Sequence, residues 1–175
     1  MSLENIKFLF CSALICIVAS AFLFPANVDS ADPMLYRIGD WLGQVKGLRK
    51  VSDFPAALAM THLVAVAFGY GLGLIASLSR ELMRRAIKYV CSNGKFRCLR
   101  IGSALAFVSA YVIFFDNDWS HLNGRRAALF RQIPTSRFFL AYWCSGLFVI
   151  SFCSSSFFII SVLGLFSRRG LNEQC

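Results

Sequence analysis

Residues 54–79 read FPAALAMTHLVAVAFGYGLGLIASLS, between Asp53 and Arg80, and their reading decides the fold class. They form 26 residues without an Asp, Glu, Lys or Arg. A helix crosses the hydrocarbon core of a bilayer with about 20 apolar residues, so this block spans with tilt to spare. Three further apolar blocks flank it: 8–24, closed by Pro25; 101–115, between Arg100 and Asp116; and 138–166, between Arg137 and Arg168. The last has 29 residues and is ample, whereas the first, with 17, is near the lower limit. The third has only 15. It crosses if Arg100 snorkels or the bilayer thins; the rival reading makes it re-entrant and leaves three spans. The expectation is an all-α membrane protein, a four-helix transmembrane bundle in a single integral membrane domain covering 1–175.

Composition agrees. Apolar residues make up 57% of the 175 and charged residues 15%, where a soluble domain carries about a quarter charged. That excludes a soluble enzyme, a disordered chain and a disulfide scaffold. The net charge of +9 is unevenly placed. Loop 80–100 holds Arg80, Arg84, Arg85, Lys88, Lys95, Arg97 and Arg100 against Glu81 alone. With Lys7, Arg168 and Arg169 this side counts ten basic residues, against eight in outer loops 25–53 and 116–137. Lys and Arg collect on the cytoplasmic side, so both termini are expected in the cytoplasm and nucleic-acid binding is a poor explanation of the charge. Reporter fusions after Lys50 and Gly124 should read outside, and fusions after Gly94 and Cys175 inside. A cytoplasmic reading at Gly124 would contradict four spans.

The first block also admits a leader reading. Lys7, an apolar run and Ala19-Ser20-Ala21 fit a cleavable signal peptide, but Phe22-Leu23-Phe24 carries the apolar run past that site and favours an uncleaved anchor. The outer loops hold no cysteine, so no structural disulfide is expected where an oxidising compartment faces them.

Arg80, Arg84 and Lys88 share a face at i, i+4 spacing, and the second span is expected to continue through Arg80–Cys91 as a basic helix. Anchorage on anionic lipid is the plain reading of that cluster. Ser92-Asn93-Gly94 marks a turn, so spans two and three form an antiparallel hairpin. In the first outer loop Met34, Leu35, Ile38, Trp41, Leu42, Val45 and Leu48 recur at helical spacing. Tyr36 and Trp41 suit a membrane interface, while Gly39, Gly43 and Gly47 weaken such a helix. In the second, Asp118 can cap a short helix with Trp119, Leu122 and Phe130 on one side. Arg125, Arg126, Arg131 and Arg137 make that loop basic, suited to lipid phosphates or an acidic partner.

Span two carries a ridge of small residues at successive i+4 positions: Ala57, Thr61, Ala65, Gly69, Gly73 and Ser77. Gly69 to Gly73 is a GxxxG step, which lets another helix approach closely. Packing inside the bundle is the simplest use; homodimerisation or docking of a foreign helix are the others. Ser145, Ser151, Ser154, Ser155, Ser156 and Ser161 of span four can hydrogen-bond across helices. No span has a charge in its middle, as ion- and proton-coupled carriers usually do. His62 lies near the outer end of its span, where a hydrogen-bonded structural role is expected. Cys91 and Cys98 lack zinc spacing, and phosphate-binding, dinucleotide and paired-carboxylate motifs are missing. No enzyme activity, cofactor or metal is expected.

One further stretch bears on function: Phe115-Asp116-Asn117, then Gly124-Arg125, then Leu129, leading to a span with Tyr142. In this stretch, and in length and topology, the chain resembles the inner-membrane immunity proteins against pore-forming colicins of the colicin A type. In that family Phe, Asn, Gly, Arg and Leu recur at the same relative spacing at the end of span three and in the loop after it. The basic hairpin and the Trp-bearing first outer loop have no counterpart in the family, so another membrane toxin system is equally open. The resemblance implies a multi-pass protein of a bacterial inner membrane that binds a toxin's pore-forming domain and blocks channel opening. Gly69, Gly73, Ala65, Asn117, Gly124, Arg125 and Leu129 are then the candidate partner-binding residues, for the toxin or for helix packing. The competing readings are an accessory subunit of a transport, secretion or conjugation complex, and a small channel or holin-like protein.

Overall fold

A computed structural model describes residues 3–27, 33–42, 45, 48–49, 51–114 and 132–166. These form α1 (Leu3–Leu23), α2 (Pro33–Asp40), α3 (Pro55–Ser77), α4 (Arg80–Asn93), α5 (Lys95–Phe114) and α6 (Arg137–Phe166), with no strand among the described residues. Four of them, α1, α3, α5 and α6, are long and apolar enough to cross a membrane. This is the architecture of a multi-pass membrane protein.

The central pair is α3 and α6; α1 packs against both, and α5 rests mainly on α6. Their core joins Ala13, Ile17 and Ala21 of α1 to Leu58 and Ala65 of α3, Ile113 of α5, and Leu140, Cys144, Leu147 and Phe148 of α6. Phe10 of α1 meets the rings of Phe148 and Phe152 at 4.9 and 5.2 Å between centroids. Leu23, Pro55, Phe114 and Arg137 lie at one end of the bundle, the loop end. Lys7, Arg80, Arg97 and Arg100 mark the other, the basic end.

The helices depart from the apolar blocks at their ends. The first starts at Leu3, so Glu4 and Lys7 form an exposed ion pair of 2.8 Å within it. The third reaches back to Lys95, taking Arg97 and Arg100 into its first turns. Its 20 residues extend about 30 Å at helical rise, the thickness of the hydrocarbon core. The long stems of exposed Arg97 and Arg100 let an apolar run of 15 residues serve in a full-length helix.

The expected continuation of the second span into a basic helix is corrected. The span stops at Ser77, and Ser79 takes an extended backbone (φ −68°, ψ 122°) before a separate α4 begins at Arg80. The break falls where the uncharged run ends and Arg80, Arg84 and Arg85 begin, so the charged residues form a helix of their own instead of extending the span. Val90 of α4 is buried against the basic end of α6, so closely that a Cβ on Gly164 would lie 3.3 Å from it. Gly94 makes the turn into α5 at φ 86°, a conformation that only glycine adopts readily.

The apolar pattern of the segment between α1 and α3 divides in two. Met34, Ile38 and Trp41 are exposed, Trp41 at 83%, whereas Leu42, Val45 and Leu48 are buried in the core. In place of the single amphipathic face expected there, the later residues clamp into the bundle and the earlier ones stay exposed.

Candidate partner-binding surfaces

The ridge of α3 lies along α6. Ala57, Thr61, Ala65, Gly69, Gly73 and Ser77 are all buried. A Cβ on Gly69 would stand 2.6 Å from Ser151 Cβ and 2.9 Å from the Phe148 carbonyl oxygen. One on Gly73 would overlap Ser155 Oγ and lie 2.9 Å from the Phe152 carbonyl oxygen. Neither site has room for a methyl group, because the α6 backbone itself occupies the space. Gly69, Gly73 and Ala65 therefore serve packing within the chain, and this face is not open to a second helix.

The serines of α6 reinforce the seam. Ser156 Oγ donates to the Gly73 carbonyl at 3.2 Å and Ser77 Oγ to the Ser156 carbonyl at 3.4 Å. Ser161 Oγ reaches the Cys98 carbonyl of α5 at 3.4 Å. Ser145, Ser151, Ser154 and Ser155 instead return to carbonyls of α6. Tyr70 and Ser109 share a hydrogen bond of 3.2 Å between α3 and α5. His62 is buried, its Nδ1 2.8 Å from the Leu58 carbonyl oxygen and 3.5 Å from Cys144 Sγ. Among the described residues no three His, Cys, Asp or Glu side chains converge as a metal would require.

The loop end is stitched together by three segments far apart in sequence. Arg137, the first residue of α6, donates from Nη1 to the carbonyls of Ala21, Phe22 and Phe24 at 3.1, 2.8 and 3.0 Å. These are C-terminal carbonyls of α1 and the turn after it, which lack partners in the helix itself and carry its negative pole. The same guanidinium lies 5.6 Å from the centre of the Phe54 ring. The Pro134 carbonyl accepts from Asp53 N–H at 3.0 Å and from Ser52 Oγ at 3.2 Å. Ala56 N–H donates to the Ala26 carbonyl at 3.3 Å. Segment 132–137 is thus fixed to the end of α1 and to residues 52–54 just ahead of α3. Arg137, read from the sequence as one of four loop charges, is a brace of the fold.

Asn117, Gly124, Arg125 and Leu129, together with Phe115, Asp116 and Asp118, the expected helix cap, lie outside the described residues. The flanks of their loop are described: it leaves α5 after Phe114 and returns into the braced segment at Gln132. Tyr142, the span residue of the same stretch, is on the outside of α6 at 76% exposure, one turn from Phe138 at 69%. Gly146, one turn further, has nothing within 4 Å of where a Cβ would stand. Phe138, Tyr142, Gly146 and Ile150 form an outward stripe at i+4 steps that starts where the loop returns. Hydropathy alone did not single out this stripe, because lipid-facing and core-facing sides of α6 are equally apolar. Compared with protein families, curated proteins and solved structures, the chain matches none of them.

Proposed function

We propose that this chain is a bacterial inner-membrane immunity protein, which binds the pore-forming domain of a toxin within the bilayer and blocks channel opening. The observation that carries the reading is the placement of Tyr142. It lies in the span to which the stretch bearing Asn117, Gly124, Arg125 and Leu129 leads, and it is exposed on the outside of α6 in the second turn after Arg137. A toxin helix lying in the bilayer would meet Tyr142 and Phe138, with Gly146 as a notch between Tyr142 and Ile150. The toxin's soluble surface would meet the loop. Such inhibition is binding alone and asks for no catalytic group.

The test compares variants at matched membrane abundance. Tyr142→Ala and Gly146→Leu should each lower the toxin dose that cells tolerate by on the order of tenfold, the effect of losing an anchor or filling its pocket. Both should leave detergent stability unchanged, since Tyr142 is exposed and Gly146 has open space beside it. Arg125→Glu should weaken protection similarly without altering abundance, as expected of a charge that serves the toxin rather than the fold. Phe107→Ala, at an exposed position of α5, should have no effect. Unchanged protection in the first three would overturn this placement of the toxin. A complete lack of protection by the unaltered protein would leave the accessory-subunit reading, and ion leakage on expression alone would favour the channel reading.

A further inference from the structure

A second surface lies at the basic end, away from the proposed toxin face. Arg80, Glu81, Arg84 and Arg85 line an open cleft of about 420 Å³ on the first turns of α4. Three guanidiniums face one carboxylate there, a balance of +2, and Arg85 already engages Glu81 at 3.0 Å. Arg80 and Arg84 have no ion-pair partner among the described residues and are exposed. Immediately before them in the chain, Leu74, Ile75 and Leu78 are exposed at 49, 45 and 61%. The 23 residues of α3 extend about 34 Å, slightly more than the hydrocarbon core. The break at Ser79 therefore puts the cleft just past the end of a helix long enough to cross that core, next in the chain to its exposed apolar residues.

We infer that this cleft is a binding site for an anionic phospholipid. The headgroup phosphodiester is held by Arg80 and Arg84, and the acyl chains lie along Leu74, Ile75 and Leu78. Guanidinium groups suit this task, since their paired N–H donors match two phosphate oxygens at once. The break between α3 and α4 gives the site its form: α4 starts afresh at Arg80, and its first turns bring Arg80, Arg84 and Arg85 onto the lining of one cleft. The site stands whichever partner the loop end meets.

The measurement is native mass spectrometry of the delipidated full-length protein in detergent, titrated with phosphatidylglycerol or with phosphatidylcholine of the same acyl chains. Phosphatidylglycerol should bind at least about tenfold more tightly, given the attraction each basic residue adds at a membrane surface. Arg80→Gln/Arg84→Gln/Arg85→Gln should abolish that preference, and Arg84→Gln alone should reduce it about fivefold. Lys7→Gln/Arg97→Gln/Arg100→Gln removes the same charge from the same end of the bundle but outside the cleft, and should keep it. An equal loss in this control would show diffuse surface charge and overturn the site. So would an equal affinity for both lipids, or displacement of the lipid by millimolar inorganic phosphate, which would mark a small-anion site instead.

Discussion

Gly73→Leu is expected to separate the second and fourth spans. The α6 backbone passes so close that even a methyl group at position 73 would press on the Phe152 carbonyl oxygen, 2.9 Å away, and on Ser155. Ser155 can rotate aside; a helix carbonyl cannot. Gly73→Ala should therefore cost about 1–3 kcal/mol, the usual range for overpacking. Leucine, with three more carbons aimed at the same backbone, should cost at least about 3 kcal/mol and strip Gly73 and Ser77 of their bonds to Ser156. Gly69→Leu should behave alike, because Ser151 Cβ and the Phe148 carbonyl oxygen close that site. Gly71→Leu is the control: the position is exposed and nothing lies within 4 Å of its Cβ. Thermal unfolding in detergent and membrane abundance are the readouts. Equal tolerance of leucine at 69, 71 and 73 would mean that α3 does not pack on α6 through this ridge.

Arg137→Ala should be the most damaging change at the loop end. It removes three charge-assisted hydrogen bonds to α1 and the contact with Phe54. A hydrogen bond to a charged group is worth about 1.5–3 kcal/mol; three from one nitrogen are not additive, so a loss of about 2–4 kcal/mol is expected. Arg137→Lys should recover only part of this, since an ammonium on a flexible stem cannot reproduce the planar donor group or its stacking. A melting temperature unchanged in Arg137→Ala would show that α1 is held by apolar packing alone. Protection, if measured on Arg137→Ala, should fall together with abundance, which separates this brace from Arg125, where protection should fall alone.

The spans were legible in the sequence because block length against bilayer thickness is a one-dimensional test. Their ends were not. The third span looked short because hydropathy stops at Arg100, yet arginine has a stem long enough for the helix to continue to Lys95 within reach of water. The break at Ser79 left only a weak mark: serine is a favoured N-cap, and Ser79 takes that place in α4, but within an apolar run a serine reads equally well as part of the span. The Gly69–Gly73 step declared that a helix approaches closely but not which one. Small residues carry no address, and the match to Ser151 and Ser155 of α6 follows from three-dimensional packing. Arg137 was least legible of all. Its acceptors are backbone carbonyls more than 110 positions away, and a carbonyl belongs to every residue type. Of the candidate partner residues, Gly69, Gly73 and Ala65 are inside the bundle. Asn117, Gly124, Arg125 and Leu129 lie outside the described residues, so the tests of the toxin face rest on Tyr142 and Gly146 as well as on the loop.

The central claim is that the protein stops a toxin from opening a pore in the membrane where both reside. Its most direct test is membrane potential in sensitive bacteria, followed with a voltage-sensitive dye as pore-forming toxins are added, beginning with any encoded beside this chain. Cells making the protein should keep their potential against one such toxin and lose it against unrelated pore formers. They should gain no survival against nuclease toxins, which do not act by opening a pore in the membrane. Depolarisation at the same rate and dose with and without the protein, for every pore-forming toxin tried, would contradict the account.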